Sequence, residues 1–238
     1  DMIAIVDNNK SILKLSSKYI DMNYYKNSTD MFNNLKLDFV VISTPPGFHY
    51  VDIKIALQNK VNIFVEKPFV LNEADGRELI NISNNHNLVN QVGYVVRYNE
   101  SFLKVKELLN KKIIGKLISF RSEMYGATVQ KSSNESWRDN AKIGGGCINE
   151  FASHAIDLTI HYFGEPKKVI GSTIQKVYSK NTDDIINSTF IYENNLIIGK
   201  ANKYLLNFAE KVFVSYKDLA GIKEKNKKKV IVVGNIIR

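Results

Sequence analysis

Residues 38–68, DFVVISTPPGFHYVDIKIALQNKVNIFVEKP, contain two apolar runs on either side of a longer mixed segment. Asp38 to Thr44 is a continuous apolar strand, as expected for a parallel sheet that is buried on both faces. The chain then turns through two prolines and a glycine, and Phe48 to Asn59 is predicted to be a helix. Val61 to Val65 is the next strand, and it ends at Glu66-Lys67-Pro68. This segment predicts a strand, a helix and a second strand parallel to the first.

The same alternation of strand and helix continues on both sides of this segment. Strands are predicted at residues 2–6 and 88–96, and helices at residues 11–19 and 72–86. Alternating strands and helices with short connections predict a doubly wound parallel sheet of the Rossmann type. Ligands bind such sheets at the carboxyl ends of the strands. The residues at those ends are Asp7, Ser43, Thr44, Pro45, Pro46, Glu66, Lys67, Pro68, Arg97 and Tyr98.

The pattern changes after Tyr98, where we place a domain boundary. A helix is predicted at residues 100–110, and strands rich in Ile, Val and Tyr at residues 168–177, 185–192 and 196–203. Residues 193–195 are typical of a tight hairpin turn. We therefore predict a first domain at residues 1–98 and a second at residues 99–238, the latter an α/β domain with a mainly antiparallel open sheet.

Three glycines open the sequence GGGCINEFASHAIDLTIHYFGEP at residues 144–166. A periodic run follows, and Gly164 with Pro166 marks the end of a predicted helix. At about 100° per residue, four titratable side chains share one helix face opposite an apolar stripe. They are Glu150, His154, Asp157 and His161.

This polar face has more than one interpretation. It is either a solvated surface or the wall of an active site. Glu150 and His154, four residues apart, would also suit a shared metal ion. Because no further ligand cluster accompanies them and Cys147 has no second cysteine to join it, we expect no metal.

Composition indicates a globular protein without membrane spans. Of the 238 residues, 44% are hydrophobic and 24% are charged, which is ordinary for a globular domain. No apolar run approaches the roughly 20 residues that cross a bilayer. The single cysteine excludes an internal disulfide and fits a reducing compartment, so we expect a cytoplasmic protein.

The formal net charge of +9 raises the question of nucleic-acid binding. The lysines are dispersed, and the one dense run is KEKNKKK at residues 223–229. No helix-turn-helix, zinc-finger or aromatic RNA-binding motif accompanies it. We therefore expect a solvated basic segment, no nucleic-acid partner and an affinity for anionic small molecules. The alternative, nucleic-acid binding through this run, predicts an affinity that falls steeply with salt.

Two motifs in this order resemble the Gfo/Idh/MocA family of nicotinamide-dependent oxidoreductases, which includes glucose–fructose oxidoreductase and inositol dehydrogenases. The first motif is Glu66-Lys67-Pro68 at a strand end, and the second is GGG…E…SHAIDL at residues 144–158. The resemblance also covers Ser43-Thr44-Pro45-Pro46 with His49, Gly93-Tyr94, Arg97-Tyr98, Ile114-Gly115-Lys116 and Trp137-Arg138. It extends from about residue 2 to residue 200.

The resemblance implies a Rossmann domain that binds NAD, with NADP as the alternative. It also implies a second α/β domain whose open sheet packs between the subunits of a homo-oligomer. Asp7 would hold the adenosine ribose and favour NAD over NADP. The other cofactor-binding positions are Ser43, Thr44, Pro45, Pro46, His49, Glu66, Lys67, Pro68, Arg97, Trp137 and Arg138. The implied substrate is a sugar, a sugar nucleotide or a cyclitol.

Lys67, His154 and Glu150 are the catalytic residues that the resemblance implies. Oxidation of a secondary alcohol needs hydride transfer to nicotinamide while a base takes the hydroxyl proton. His154, with an ordinary pKa of about 6.5, suits that base at neutral pH. Lys67 would donate to the same oxygen and stabilise negative charge there. Glu150 would hold the lysine or orient the substrate, and Asp157 and His161 are expected to have structural roles.

Two departures from the family pattern bear on activity. Family members commonly carry Asp where this chain has Glu150, which changes the reach of the carboxylate. No Gly-rich loop for the pyrophosphate precedes Asp7, so we expect roughly 25–30 residues of a βαβ unit to be absent. The region after Lys203 is also short, and we expect truncation at both ends.

Two other functions remain open on the same scaffold. One is an NAD-dependent glycosidase, which oxidises a sugar transiently, eliminates the aglycone and reduces the sugar again without net NADH. The other is a non-catalytic ligand-binding or regulatory protein, which the fold alone does not exclude. The presence of both Lys67 and His154 argues against the second.

Overall fold

The computed structural model of the chain describes residues 1–115, 117–126, 136–192, 196–197, 209–214, 219–220 and 222–232. The chain divides into two compact units. The first comprises residues 1–164 and 173–187, and the second comprises residues 165–172 and 188–238. Every side chain of the candidate site described below belongs to the first unit.

Strands and helices alternate through the first part of the chain. In order they are β1 (Ala4–Val6), α1 (Lys10–Ser16), β2 (Asn23–Tyr25), α2 (Ser28–Asn34), β3 (Phe39–Ile42), α3 (Pro46–Gln58), β4 (Asn62–Val65), α4 (Glu73–His86), β5 (Asn90–Val92) and α5 (Glu100–Asn110). The strand β2 and the helix α2 were not predicted. The other elements lie where the sequence places them, most with ends shifted by a few residues.

Strands β3, β4 and β5 form a parallel sheet in that order, with Phe39 opposite Asn62 and Ile63 opposite Asn90. Helices α3 and α4 contribute side chains to a core with this sheet. Its buried side chains are Ile42, Ile53, Ala56, Leu57, Ile63, Val65 and Leu79. Full burial of each large aliphatic side chain contributes about 1.5–3 kcal/mol. The predicted Rossmann-type parallel sheet is confirmed.

Strands β1 and β2 pair in parallel as a separate two-stranded sheet. In the doubly wound strand order 3-2-1-4-5-6, β2 corresponds to strand 3 and β1 to strand 2. Strands β3, β4 and β5 correspond to strands 4, 5 and 6. No strand of the described residues takes position 1. The sheet is therefore interrupted between β1 and β3.

The strand predicted at residues 88–96 is shorter than expected. β5 ends at Val92, and the N–H groups of Tyr94 and Val95 bond to carbonyls two residues earlier, at 2.8 and 2.9 Å. These bonds turn the chain into a 3₁₀ turn at Val95–Tyr98. Arg97 consequently lies on this turn rather than at the end of a strand.

The helix predicted after the three glycines has an irregular start. Two 3₁₀ turns, Trp137–Asp139 and Ala141–Ile143, precede the glycines. The helix itself opens with a π-turn at Ile148–Ala152 and continues as the regular helix α6 at Ser153–Phe163. The expectation of one uniform helix is therefore wrong for its first turn, which is wider than an α-turn.

The remaining strands follow α6. β6 (Lys168–Gln175) and β7 (Ile185–Ile191) pair antiparallel, since the Lys167 N–H bonds to Ile191 and the Asp184 N–H bonds to Gln175. This pairing confirms the predicted antiparallel sheet. The hairpin turn predicted at residues 193–195, and residues 198–203 of the next predicted strand, lie outside the described residues.

The second unit also contains short elements. They are β8 (Leu196–Ile197), β9 (Val212–Val214), β10 (Leu219–Ala220), the helical turn α7 (Glu224–Lys227) and β11 (Val230–Val232). β10 pairs with β8 and β11 pairs with β9, both in parallel. Across the described ranges of the chain, no helix has the length and apolar character needed to cross a membrane.

Candidate active site

The predicted ligand-binding loops follow the adjacent strands β3 and β4. One loop comprises residues 43–46 and the other residues 66–68. His49, only 1% exposed, lies near the start of α3 and joins the loops. Its Nδ1 is 2.8 Å from the Pro68 carbonyl oxygen, and its Nε2 is 2.7 Å from that of Thr44. This buried ring links both loops, and its assignment to the cofactor stays a prediction.

Lys67 extends from the β4 loop to the first turn of the central helix. Its Nζ donates to the carbonyl oxygens of Asn149, at 3.2 Å, and of Glu150, at 2.8 Å. Both carbonyls belong to the π-turn, whose hydrogen bonds run between residues five apart. An ammonium has three donors, so one N–H of Lys67 is left for a ligand. Burial lowers the pKa of Lys67, although Glu150 and Glu66 oppose this shift.

The Glu150 carboxylate points toward an arginine. Its Oε2 lies 3.4 Å from Nε of Arg138, while only the main-chain oxygen of Glu150 bonds to Lys67. The Arg138 guanidinium also lies over the ring of Trp137, 4.7 Å from the ring centroid. The structure therefore brings together Lys67, Trp137, Arg138 and Glu150, four of the residues that the sequence singles out.

His154 lies four residues beyond Glu150, in the first turn of α6. Its ring packs edge-on against Tyr94, with the centroids 6.1 Å apart. Burial, followed by the positive charge of Lys67, lowers the pKa of His154 and so favours the neutral ring. Its Nδ1 is buried and has no hydrogen-bond partner in the described part of the chain. Such an unpaired buried atom costs about 1–3 kcal/mol, and a ligand or water that bonds to it removes that cost.

The other two members of the polar helix face bind cations. Asp157 is buried and accepts hydrogen bonds from Nε and Nη2 of Arg97, at 2.7 and 2.5 Å. The ring nitrogens of His161 lie 3.0 and 3.2 Å from Nζ of Lys106. These contacts suit the structural roles expected for Asp157 and His161. They also direct Arg97 toward α6, and its assignment to the cofactor stays a prediction.

Close packing explains why glycines precede the helix. A Cβ added to Gly144 would lie 2.6 Å from Cβ of Pro46 in the β3 loop. A Cβ added to Gly145 would lie 2.2 Å from the main-chain oxygen of Arg138. Real Cβ atoms do not approach other atoms so closely. The glycines therefore allow the β3 loop and the turn that carries Arg138 to pack against the start of the helix.

Asp183 is a member of this region that the sequence did not reveal. Its Oδ2 accepts the N–H of Ile148 at 2.8 Å. Its Oδ1 would lie 2.3 Å from a Cβ added to Gly146. The only signal in the sequence is the pair Asp183-Asp184 just before β7. Such a pair has no spacing or periodicity that points to a helix elsewhere in the chain.

Asp7 lies apart from the cluster, after the end of β1. Its Oδ1 accepts the N–H of Asn9 at 2.7 Å, next to the start of α1. Among the described residues, no hydrogen bond or ion pair links Asp7 to the loops after β3 and β4. Its assignment to the adenosine ribose stays a prediction.

The cluster combines an imidazole with an ammonium, two groups that suit proton transfer beside a positive charge. A neutral imidazole with an unpaired nitrogen lies near an ammonium whose pKa is lowered. Within the described ranges, no three or more His, Cys, Asp or Glu side chains are grouped so that they could hold a metal ion. The arrangement is typical of a nicotinamide-dependent oxidoreductase, with a parallel sheet whose strand ends meet a base and a cationic donor.

Comparison with models of known protein families identifies the family of this chain. Residues 1–94 match the oxidoreductase family with an NAD-binding Rossmann fold, and residues 102–202 match the GFO/IDH/MocA C-terminal domain. The chain belongs to the GFO/IDH/MocA family of oxidoreductases. Residues 1–94 are thus similar to a family whose Rossmann fold binds NAD.

Individual relatives agree with this assignment. Oxidoreductase P35 of Formosa agariphila is 28% identical over 173 residues, which are 71% of this chain and 54% of that protein. The scyllo-inositol 2-dehydrogenase (NADP(+)) IolW of Bacillus subtilis is 22% identical over 197 residues, 79% of this chain and 54% of that protein. The chain spans about half the length of these relatives.

A solved structure shows the same fold. The WlbA dehydrogenase from Bordetella pertussis, in complex with NADH and UDP-GlcNAcA, aligns with a TM-score of 0.71 at 18% identity. The alignment covers 81% of this chain and 56% of that chain. At this identity the likeness concerns the fold.

Proposed function

We propose that the protein is an NAD(P)-dependent oxidoreductase that oxidises or reduces a secondary alcohol of a sugar, a sugar nucleotide or a cyclitol. The observation that carries the proposal is the pairing of Lys67 and His154. Both side chains are partly buried, both have lowered pKa values, and Nδ1 of His154 has no partner among the described residues. A neutral base beside a cationic donor is what removal of an alcohol proton requires.

Each of these residues has one task at the reacting oxygen. His154 takes the hydroxyl proton during oxidation and returns it during reduction. Lys67 keeps two N–H groups on main-chain carbonyls and directs the third to the substrate oxygen, where it stabilises negative charge. The nicotinamide, when bound, supplies the hydride acceptor or donor. Glu150, held beside Arg138, orients the substrate.

The chain's own residues fit a cofactor at the strand ends. The residues proposed to hold it are Asp7, Ser43, Thr44, Pro45, Pro46, Glu66, Lys67, Pro68, Arg97, Trp137 and Arg138, with His49 behind them. Gly93, beyond β5, leaves room for the Glu66 carboxylate, because a Cβ there would lie 3.3 Å from both of its oxygens. Asp7 favours NAD in this proposal. IolW is named for NADP(+) and WlbA was bound to NADH, so both cofactors need to be compared.

The substrate class and the organisation of the protein are also proposals. A cyclitol is supported by the name of IolW, and a sugar nucleotide by the UDP-GlcNAcA bound to WlbA. A domain boundary near residue 98 is supported by family matches that end at residue 94 and resume at residue 102. We further propose a cytoplasmic homo-oligomer that associates through the sheet of its second domain.

Fluorescence titration of the 238-residue chain with NADH, repeated with NADPH, is the first test. Saturable binding is expected, tighter for NADH because of Asp7. A panel of scyllo-inositol, free sugars and UDP-sugars then follows NADH formation by absorbance. The variant His154→Gln should bind NADH normally and lose about 10²–10⁴-fold in turnover. The matched control His86→Gln changes an exposed histidine of α4 and should retain full turnover.

Other outcomes of these measurements would reassign the protein. If neither cofactor binds, this chain by itself is not a dehydrogenase. Release of an aglycone without net NADH would identify the NAD-dependent glycosidase instead. Cofactor binding without turnover on any member of the panel would favour a ligand-binding relative.

A further inference from the structure

The central helix starts without a capping side chain from its own sequence. Cys147, which precedes the π-turn, makes no side-chain capping bond. Asp183, 35 residues beyond Ile148 in sequence, supplies the capping hydrogen bond instead. Its main-chain oxygen accepts the Cys147 N–H at 2.9 Å, and its Oδ2 accepts the Ile148 N–H at 2.8 Å. A distant aspartate thus satisfies two N–H groups that a helix start leaves unpaired.

The position of Asp183 is closely restricted. Its Oδ1 lies 2.3 Å from the place of a Cβ on Gly146, so the carboxylate packs directly against the glycine backbone. Gly146 has φ = +110°, a conformation that favours glycine. The carboxylate also accepts a hydrogen bond from the Cys147 thiol, which after burial is the main cause of the raised pKa of that thiol. The aspartate therefore holds the start of the helix from one defined position.

The turn that Asp183 anchors is also the turn that holds Lys67. The two residues after Ile148 are Asn149 and Glu150, whose carbonyl oxygens accept from Nζ of Lys67 at 3.2 and 2.8 Å. Each helical residue advances the chain by about 1.5 Å and about 100°. A slip of one residue at the start of the helix therefore moves both oxygens away from the ammonium.

We propose that Asp183 is a positioning residue for Lys67. By holding the N–H groups of Cys147 and Ile148, it fixes where the π-turn starts and therefore where the Lys67 ammonium lies. The effect on catalysis rests on the proposed function, whereas the position of Lys67 is measurable without cofactor or substrate. An aspartate that merely stabilised the helix would not change the environment of Lys67.

Competitive acetylation of the full chain with acetic anhydride, read by mass spectrometry, tests this proposal. The rate at Lys67 is expressed relative to the exposed Lys36 in each variant. Asp183→Ala removes the carboxylate that holds Ile148 but keeps the main-chain oxygen on Cys147, and Asp183→Asn keeps a side-chain oxygen acceptor. The matched control is Asp184→Ala, because the Asp184 carboxylate accepts N–H groups from residues 177–179 and makes no bond to the helix start.

In Asp183→Ala we expect acetic anhydride to acetylate Lys67 several-fold faster than in the wild type. In Asp183→Asn and Asp184→Ala we expect the wild-type rate of Lys67 acetylation. With cofactor and substrate, Asp183→Ala should lose roughly 10²-fold in kcat with little change in KM, since misplacing a reacting group by about 1 Å has that effect. A wild-type rate of acetylation in Asp183→Ala would overturn the proposal. An equal acceleration in Asp184→Ala would overturn it as well.

A second variant covers the case in which Asp183→Ala does not fold. Asp183→Glu keeps the acceptor and the charge but is one methylene longer, so it displaces the turn without removing the anchor. Faster acetylation of Lys67 in this variant supports the proposal, and a wild-type rate contradicts it. Lack of turnover in every preparation would count against the proposed function and leave the acetylation result intact.

Discussion

Arg97 binds Asp157 through two parallel N–H groups, at 2.7 and 2.5 Å, although the two residues are 60 positions apart in sequence. Asp157 is 8% exposed, and the guanidinium is partly open to solvent. The pair joins the turn after β5 to the helix α6, one turn beyond His154. A bidentate bond of this kind restricts both distance and orientation.

Loss of the Arg97–Asp157 pair should lower the free energy of unfolding. Arg97→Met leaves the Asp157 carboxylate buried without its partner, and we expect a loss of about 2 kcal/mol in the free energy of unfolding. Urea denaturation followed by circular dichroism measures it. The control Arg121→Met removes an arginine from an exposed pair with Glu123 and should cost less than about 1 kcal/mol. Equal losses in the two variants would contradict a special role for the Arg97–Asp157 pair.

The pKa of His154 should report the charge of Lys67. Burial and that charge lower it, so NMR titration of the ring proton should give a midpoint below the ordinary value of 6.5. The acid limb of kcat/KM should lie below pH 6.5 as well, because activity is lost only when the ring takes up a proton.

Lys67→Met removes the nearby positive charge, and the midpoint of His154 should then rise toward 6.5. The control Lys54→Met removes an ammonium that is 2.7 Å from Glu78 and should leave this midpoint unchanged. A midpoint that does not respond to Lys67→Met would mean that the charge of Lys67 does not contribute to the pKa of His154.

Gly145 should not tolerate even a methyl group. In Gly145→Ala the new Cβ would meet the main-chain oxygen of Arg138 at 2.2 Å, so the backbone must move. We expect a loss of about 1–3 kcal/mol in unfolding free energy, together with weaker NADH binding. Gly171→Ala is the matched control, since nothing lies within 4 Å of its Cβ, and thermal unfolding compares the two variants. Similar melting temperatures would show that the turn before the helix adjusts easily.

His49 should matter for both stability and binding, despite its burial. His49→Phe removes the ring N–H that donates to the carbonyl of Thr44 or of Pro68, which should cost about 2 kcal/mol. The loops after β3 and β4 also lose their link, so the Kd for NADH should increase. His86→Phe, at an exposed position, is the control for both measurements. Unchanged NADH affinity in His49→Phe would separate this ring from the binding loops.

The sequence predicts well those elements whose signals are local. The helix Glu100–Asn110 has the predicted bounds, and Asn99 caps it by accepting the N–H of Ser101. The strands Phe39–Ile42 and Asn62–Val65 follow from their apolar runs, because both lie in a parallel sheet. In contrast, β2 and α2 were missed, since residues 23–34 contain few apolar side chains and five Asn or Asp residues.

Most members of the site were predictable from the sequence, with Asp183 the exception, but their contacts were not. Lys67, Glu150, Trp137 and Arg138 are brought together as the motifs indicate. The hydrogen-bond partners within this group were not predictable, since Lys67 bonds to main-chain oxygens and not to a carboxylate. The sequence has no pattern that marks a π-turn here, so the main-chain contacts of Lys67 could not be predicted.

The buried thiol beneath the first helical turn has a practical consequence. Cys147 is the only cysteine of the chain, and burial, with help from Asp183, raises its pKa to about 12. The thiolate is the nucleophile that attacks thiol reagents, so the folded chain reacts with them only while this turn is open. The rate at which Cys147 is modified therefore measures how often the turn that carries the Lys67 contacts opens. The protein needs no added probe for local unfolding, because its single cysteine already serves as one.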